Sequence, residues 1–253
     1  MRTVYLDQQI VIESFDGGEI AAAIEHGKSN GIIFPYSPAH IEEIAKAYHH
    51  HKREGALSQI PKLEELSGGW AIMARRPGPA QLCQEDIHAC LARVQANGGR
   101  LLTENVVTSE AKRVAAYYEN VSDADREKVW KSVEGCTSRE VFSNPHIYEY
   151  MEKIAREQNF RIRLETFTER AASLDSLFNI LNAFGFQKEH AQKRIENRIH
   201  DVSHAIYGSY ADLFVTNDGS LRKSSEAIYS LTSIKSKIVD KRGFLELARS
   251  WKT

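Results

Sequence analysis

Cysteine is scarce: the 253-residue chain holds three, Cys83, Cys90 and Cys136. An odd number without zinc-ligand spacing argues against a disulfide framework or a cysteine-built zinc site, and fits a reducing compartment in which the thiols are bystanders. Charge of one sign is missing too, with 33 Lys and Arg against 34 Asp and Glu and a formal net charge of −1. Bulk charge therefore does not mark a polyanion binder, and any nucleic-acid contact has to come from a local basic patch. No apolar run approaches the length of a membrane span, and the opening MRTVYLDQQ lacks the apolar region of a signal peptide. A soluble, cytoplasmic protein with no membrane partner is the expectation. Internal repeats and low-complexity tracts are absent. What the chain does have is 42% apolar residues, enough for the core of one large domain or of a domain carrying an insertion.

The two ends of the chain read as mixed α/β and the middle as helical. TVYLD (3–7), GIIFPYS (31–37), ADLFVT (211–216) and SKIVD (236–240) are short apolar runs of β type, each followed by a helical pattern. Ser37-Pro38 supplies an N-cap and a first-turn proline for a helix running to about residue 54. Strands alternating with helices imply a parallel sheet. Residues 57–185 read as amphipathic helices broken at Pro77-Gly78-Pro79, Gly98-Gly99 and Asn144-Pro145, with one possible extended piece at GWAIMARR. The division expected is a first core half (1–56), a helical insertion (57–185) that adds few or no strands to the sheet, and a second core half (186–253).

Parallel α/β sheets bind ligands outside the carboxyl ends of their strands. That rule selects Asp7 after the first strand, the helix opened by Ser37, and Asn217-Asp218 after the third strand. On the Ser37 helix His40 and Glu43 share a face, whereas Glu42 is turned about 100° away and is expected to be nearly silent when substituted. In the helix before residue 208 the stripe Ile195, Ile199, Val202, Ile206 faces the core, with Asp201 at its margin and His204 one turn on. Asp7, Glu43, Asp201 and Asp218 can therefore converge at one rim. Unpartnered carboxylates so close must take up a proton or recruit a cation, and oxygen donors suit Mg2+ or Mn2+. Such ions activate water for attack on a phosphodiester.

Each residue has a plainer reading. Asp218 before Gly219 is a possible helix cap, Glu43 a solvated charge, and Asp201 a partner for Arg198 or His204. His49-His50-His51 resembles a metal tract, but adjacent helix positions diverge, and a polar face is the better reading. Tyr117, Tyr118, Tyr148 and Tyr150 read as packing residues. Arg222, near a helix N-terminus with Lys223, Lys235 and Lys237 in the same region, is a candidate phosphate contact or a solvated surface residue.

VYLDQQ, YSPAHIEEI and DVSHAIYGSYADLFVTNDGSLR together resemble the acidic motifs of the PIN-domain nuclease superfamily, in its larger bacterial members. The resemblance covers the two ends of the chain and leaves the helical middle unmatched. It implies a three-layer α/β/α PIN-like parallel sheet with a large helical insertion. It also implies metal binding by Asp7, Glu43, Asp201 and Asp218, with Thr216 and Asn217 at the supporting strand end. Gln8 and Gln9 stand where many members have a small hydroxyl residue and an Asn, which leaves Gln9 as the candidate positioning amide. The expected activity is metal-dependent endonucleolytic hydrolysis of RNA in a toxin or anti-phage role, with His40, His204 and Arg222 supporting the site or touching phosphate. The insertion is expected to serve an inhibitor, a sensor or self-association. The alternatives are a catalytically inactive PIN-like binding or assembly module, a nuclease acting on DNA, and, from the same acidic rim, a phosphatase for small substrates.

Overall fold

The computed structural model describes residues 2–51, 54–75, 77–96, 123–187 and 195–251. The chain opens with β1 (Arg2–Leu6), α1 (Gln8–Phe15), α2 (Gly18–Ser29), β2 (Ile32–Ile33) and α3 (Pro38–His51). Then come α4 (Gln59–Ser67), β3 (Trp70–Met73), β4 (Gln81–Gln84), α5 (Ile87–Ala96), α6 (Asp123–Glu134), α7 (Pro145–Gln158) and α8 (Phe167–Ala183). The C-terminal part is α9 (Ile195–Gly208), β5 (Leu213–Val215), α10 (Gly219–Thr232), β6 (Lys237–Val239) and α11 (Lys241–Arg249). Gly98-Gly99, Tyr117, Tyr118 and the start of the last long helix as read from sequence, 188–194, lie outside the described residues.

Four strands form one parallel sheet in the order β2-β1-β5-β6. The central pair is apolar throughout: Val4, Tyr5 and Leu6 face Leu213, Phe214 and Val215 in register, and all six are buried. Continuous burial is what a sheet covered on both faces demands. Strand alternation divides these residues between two cores. Tyr5 and Phe214 join Leu174, Leu177, Ile206 and Ile228, while Val4, Leu6, Leu213 and Val215 join Ile10, Ile24, Ile41 and Phe244. Lys237 on the outer strand β6 is exposed, a charge that blunts an open sheet edge.

The described part of 57–185 is mostly helical and contributes no strand to the parallel sheet. The segment GWAIMARR supplies β3, which pairs antiparallel with β4 as a separate hairpin. Tyr36 ties that hairpin to the end of β2 through hydrogen bonds with Trp70 and Ile72. Of the tyrosines expected to pack, Tyr150 is buried against Phe184, with ring centroids 5.4 Å apart, but Tyr148 is 57% exposed because it projects from the outer face of α7. All three cysteines are free, and burial pushes the Cys90 thiol up to about 12, so it stays protonated. Among the described residues no helix is long and apolar enough to cross a membrane.

Candidate functional site

Asp7 lies where β1 ends and α1 begins. Its Oδ1 accepts the Gln9 backbone N–H at 3.0 Å, the N-cap bond of α1. Its Oδ2 accepts the Thr216 hydroxyl at 2.5 Å across the edge of the sheet. The backbone prepares that contact: Asp7 N donates to Val215 O and Thr216 N to Val239 O, each at 3.0 Å, extending the ladder by one residue. Thr216 Oγ1 in turn accepts Asp218 N–H at 3.2 Å, and Asp218 Oδ1 caps α10 by accepting Leu221 N–H at 2.7 Å. One buried threonine thus ties two acids together at the carboxyl edge. Asp7 and Asp218 are caps as well as rim residues.

The other two acids come from opposite sides. Glu43 on α3 meets His204 on α9, whose Nε2–H donates to Glu43 Oε1 at 2.7 Å. Gly208 lets α9 approach the sheet this closely, since a Cβ there would stand 2.8 Å from the Phe214 ring. His204 is 1% exposed, and its Nδ1 shares a 2.8 Å hydrogen bond with the Tyr5 hydroxyl. Burial pushes the His204 pKa down, but the hydrogen bond and charge of Glu43, aided by Asp7 and Asp201, raise it overall. Burial pushes Glu43 up, and the bond and charge of His204, with the nearby His200 and His40, hold it below the ordinary carboxylate range.

Asp201, one turn before His204, is half-buried and makes no hydrogen bond or ion pair with the described residues. Burial, then the carboxylates of Asp218 and Asp7, raise its pKa to about 7, with Glu43 adding to the rise and His204 opposing it. Four acids from four segments therefore act on one another at the end of the sheet where β1 and β5 emerge. Among the described residues no group of three or more His, Cys, Asp or Glu side chains is arranged to hold a metal ion.

Several supporting residues lie elsewhere than the sequence suggests. His40 is 1% exposed and fully engaged: its Nδ1 accepts Ser37 N–H at 3.0 Å and its Nε2–H donates to Leu6 O at 2.8 Å. Burial, with the charge of His204, lowers its pKa to about 3. Held neutral between two backbone groups, it cannot reach a phosphate. Gln9 has an exposed side chain and serves Asp7 only through its backbone N–H, because the first turn of α1 turns it outward. The inward amide is Gln8, whose Nε2–H donates to Gln59 at 3.2 Å. Asn217 is exposed and braces α11 by accepting Lys241 N–H at 3.0 Å. Arg222 pairs with Asp240 at 2.9 Å, so its charge is already met on the protein.

Glu42 is 2% exposed and acts on Cys90 and Tyr207, the reverse of a solvated acid. Its face of α3 packs on α5, which covers what an isolated helix would expose. The side chains of His49, His50, His51, Ile195, Arg198 and Ile199 lie outside the described residues, while Val202 and Ile206 of the α9 stripe are buried. Tyr5 and His200 escaped the sequence reading, and Ser37 was read only as a cap. Tyr5 and Ser37 carry polar groups inside strand and cap patterns that packing and turn formation already explained, and His200 was hidden beside the more conspicuous Asp201.

Compared with protein-family models, curated proteins and solved structures, the chain has no match.

Proposed function

We propose that the acidic rim is the active site of a metal-dependent, PIN-like endonuclease that hydrolyses RNA in preference to DNA, acting in the cytoplasm in a toxin or anti-phage role. The observation that carries this reading is Asp201: a half-buried carboxylate without a hydrogen bond or ion pair among the described residues, in the field of Asp7, Asp218 and Glu43. A stable apo protein has no use for such repulsion, whereas a divalent cation relieves it.

The donor set fits Mg2+ or Mn2+. All four groups are carboxylates, and Mg2+ keeps several waters while taking one or two carboxylates directly, so a close three-residue cage is not required. Asp7, Asp201, Asp218 and Glu43 would hold the hydrated ion. When bound, it would supply an activated water and charge for the leaving oxygen. The chain's own part is orientation: Thr216 fixes the Asp7 carboxylate, the cap bond fixes Asp218, and His204 fixes Glu43. The preference for RNA rests on the PIN-like resemblance, and a protein inhibitor, sensor or second copy on the helical middle would follow from the toxin or anti-phage role.

One observation favours a catalytically silent PIN-like assembly module instead: the lack, among the described residues, of a group arranged to hold an ion directly. Incubation with labelled total RNA, single-stranded DNA and small phosphate esters, in Mg2+, Mn2+ or EDTA, separates the readings. RNA cleavage that needs metal and disappears in Asp7→Asn is expected. Faster DNA cleavage would change the substrate, hydrolysis of the esters alone would make the protein a phosphatase, and no hydrolysis under any condition would leave the module.

A further inference from the structure

Beneath Glu43 runs a chain of buried polar groups that the hydrolytic chemistry itself does not call for. Glu43 Oε1 accepts from His204, His204 Nδ1 bonds Tyr5, and the Tyr5 hydroxyl bonds Ser37 Oγ at 2.7 Å. Ser37 Oγ is itself fixed by accepting Ala39 N–H at 3.2 Å. Tyr5 has no exposed surface and Ser37 has none. The Tyr5 ring packs between His40, His204 and Phe214 at centroid distances of 5.1, 5.8 and 5.8 Å. Its backbone is pinned by the pairing of Tyr5 with Phe214 in the centre of the sheet.

Burying three hydroxyl or imidazole groups in a core is costly unless every one is satisfied, and apolar side chains of similar volume would pack there without that requirement. The arrangement has one directional result. A long Glu side chain loses considerable rotamer freedom when fixed, and here one of its oxygens is held by a ring that is itself held at both nitrogens. With 27% of its side chain exposed, Glu43 still reaches solvent.

We propose that Tyr5 and His204 are positioning residues, which hold Glu43 in the orientation a hydrated divalent cation at the rim requires. This rests on the metal-dependent reading above. Without the Tyr5 hydroxyl, the buried Nδ1 loses its partner and the imidazole is fixed at one nitrogen instead of two, whichever protonation state it holds. Glu43 then loses its fixed donor. Groups that orient a metal ligand from behind typically change metal affinity by ~10- to 100-fold when removed.

The test is a Mn2+ titration of the metal-free full chain by electron paramagnetic resonance, together with the Mn2+ dependence of RNA cleavage. In Tyr5→Phe, which keeps the ring and its packing, the Mn2+ dissociation constant and the half-activating Mn2+ concentration should rise together by about tenfold, with KM for RNA unchanged. A purely structural Tyr5 would lower Tm and leave the Mn2+ constant at the wild-type value, which overturns the proposal. If Tyr5→Phe does not fold, His204→Gln and His204→Leu decide. Gln keeps an N–H for Glu43 and should bind Mn2+ more tightly than Leu, and equal weakening in the two overturns the inference. Asp7→Asn is the reference. Wild-type binding and cleavage in that variant would sink the metal reading and this inference with it. Loss of both in Asp7→Asn, with wild-type behaviour in Tyr5→Phe and His204→Leu, would remove only the positioning role.

Discussion

The first turn of α3 and the last turns of α9 each bury a histidine, their rings 4.8 Å apart, and the pKa values of the two are displaced in opposite directions. His40 and His204 are equally inaccessible, at 1% exposure. One is held neutral, with its pKa lowered to about 3, and the other is raised. Burial acts on both in the same direction, so the partners make the difference. His40 meets a backbone N–H and a backbone carbonyl, which complete its neutral tautomer; His204 meets a carboxylate and lies near two more. The same residue type braces the fold on one side of Tyr5 and answers charge on the other. Burial alone does not set the pKa of a histidine; the polarity of what it touches decides which way it moves.

If this division is right, substitutions on the rim side should spend their effect on function and those on the backbone side on stability. The largest change is expected for Asp7→Asn. Asn keeps an oxygen to accept the Gln9 N–H, so the cap of α1 survives while one rim charge is lost. Metal-dependent RNA cleavage should fall by at least about a hundredfold, while Tm in EDTA stays level or rises because Asp201 loses a repelling neighbour. Cleavage rates and thermal melts on the same preparations check this, and a large drop in Tm would break the comparison.

His40→Ala tests the other side. It leaves the Leu6 carbonyl and Ser37 N–H without their partner and opens a void next to Tyr5. A loss of roughly 2–4 kcal/mol is expected from the unpaired groups and the cavity together, read by urea unfolding. Cleavage per folded molecule should change far less than in Asp7→Asn.

The pH dependence of stability sharpens the contrast. Asp201 has a folded pKa of about 7 against a model-compound value of 3.8. Between those values the folded state holds a proton that the unfolded chain has released, so stability falls as pH rises through this window. The metal-free wild type should therefore lose Tm from this residue between about pH 4 and 7, and Asp201→Asn should flatten that slope. Glu43 contributes oppositely: its pKa is lowered, so its stabilisation is present above its unfolded value and is lost as pH falls through the folded one. A slope unchanged in Asp201→Asn would place the carboxylate away from the rim.

Thr216→Val should show the smallest effect. It removes the hydroxyl that accepts Asp218 N–H and donates to Asp7 while keeping the shape of the strand end. A stability loss of about 1 kcal/mol is expected, with a several-fold rise in the Mn2+ needed for half-maximal cleavage. Glu42→Gln, in contrast with its reading from the helix pattern alone, should lower Tm, since the carboxylate lies in the interior near Cys90 and Tyr207.

The sequence by itself determined the four parallel strands and their helical connections, because apolar runs such as TVYL and DLFV can be buried only in a sheet covered on both faces. Asp7 and Asp218 were legible for a related reason: each follows directly on a strand, so chain order alone puts it at the carboxyl edge. The capping bond of Asp218 was legible too, since a cap is made with residues two or three positions away; that of Asp7 came only with the structure. Helical spacing separated Glu43 from Glu42 correctly, but it could not say which face of α3 another helix would cover, and α5 covers the Glu42 face. Only the tertiary structure decided which of the neighbouring polar residues lie at the rim. His40, Asn217 and Arg222 are drawn away by the Leu6 carbonyl, the Lys241 amide and the Asp240 carboxylate. Tyr5 and His204 are drawn in by a bond between residues 199 positions apart. Short-range hydrogen bonds follow from spacing; a pairing across that distance exists only once a strand and a helix have packed, and the choice of partner then fixes the direction in which a buried group's pKa moves.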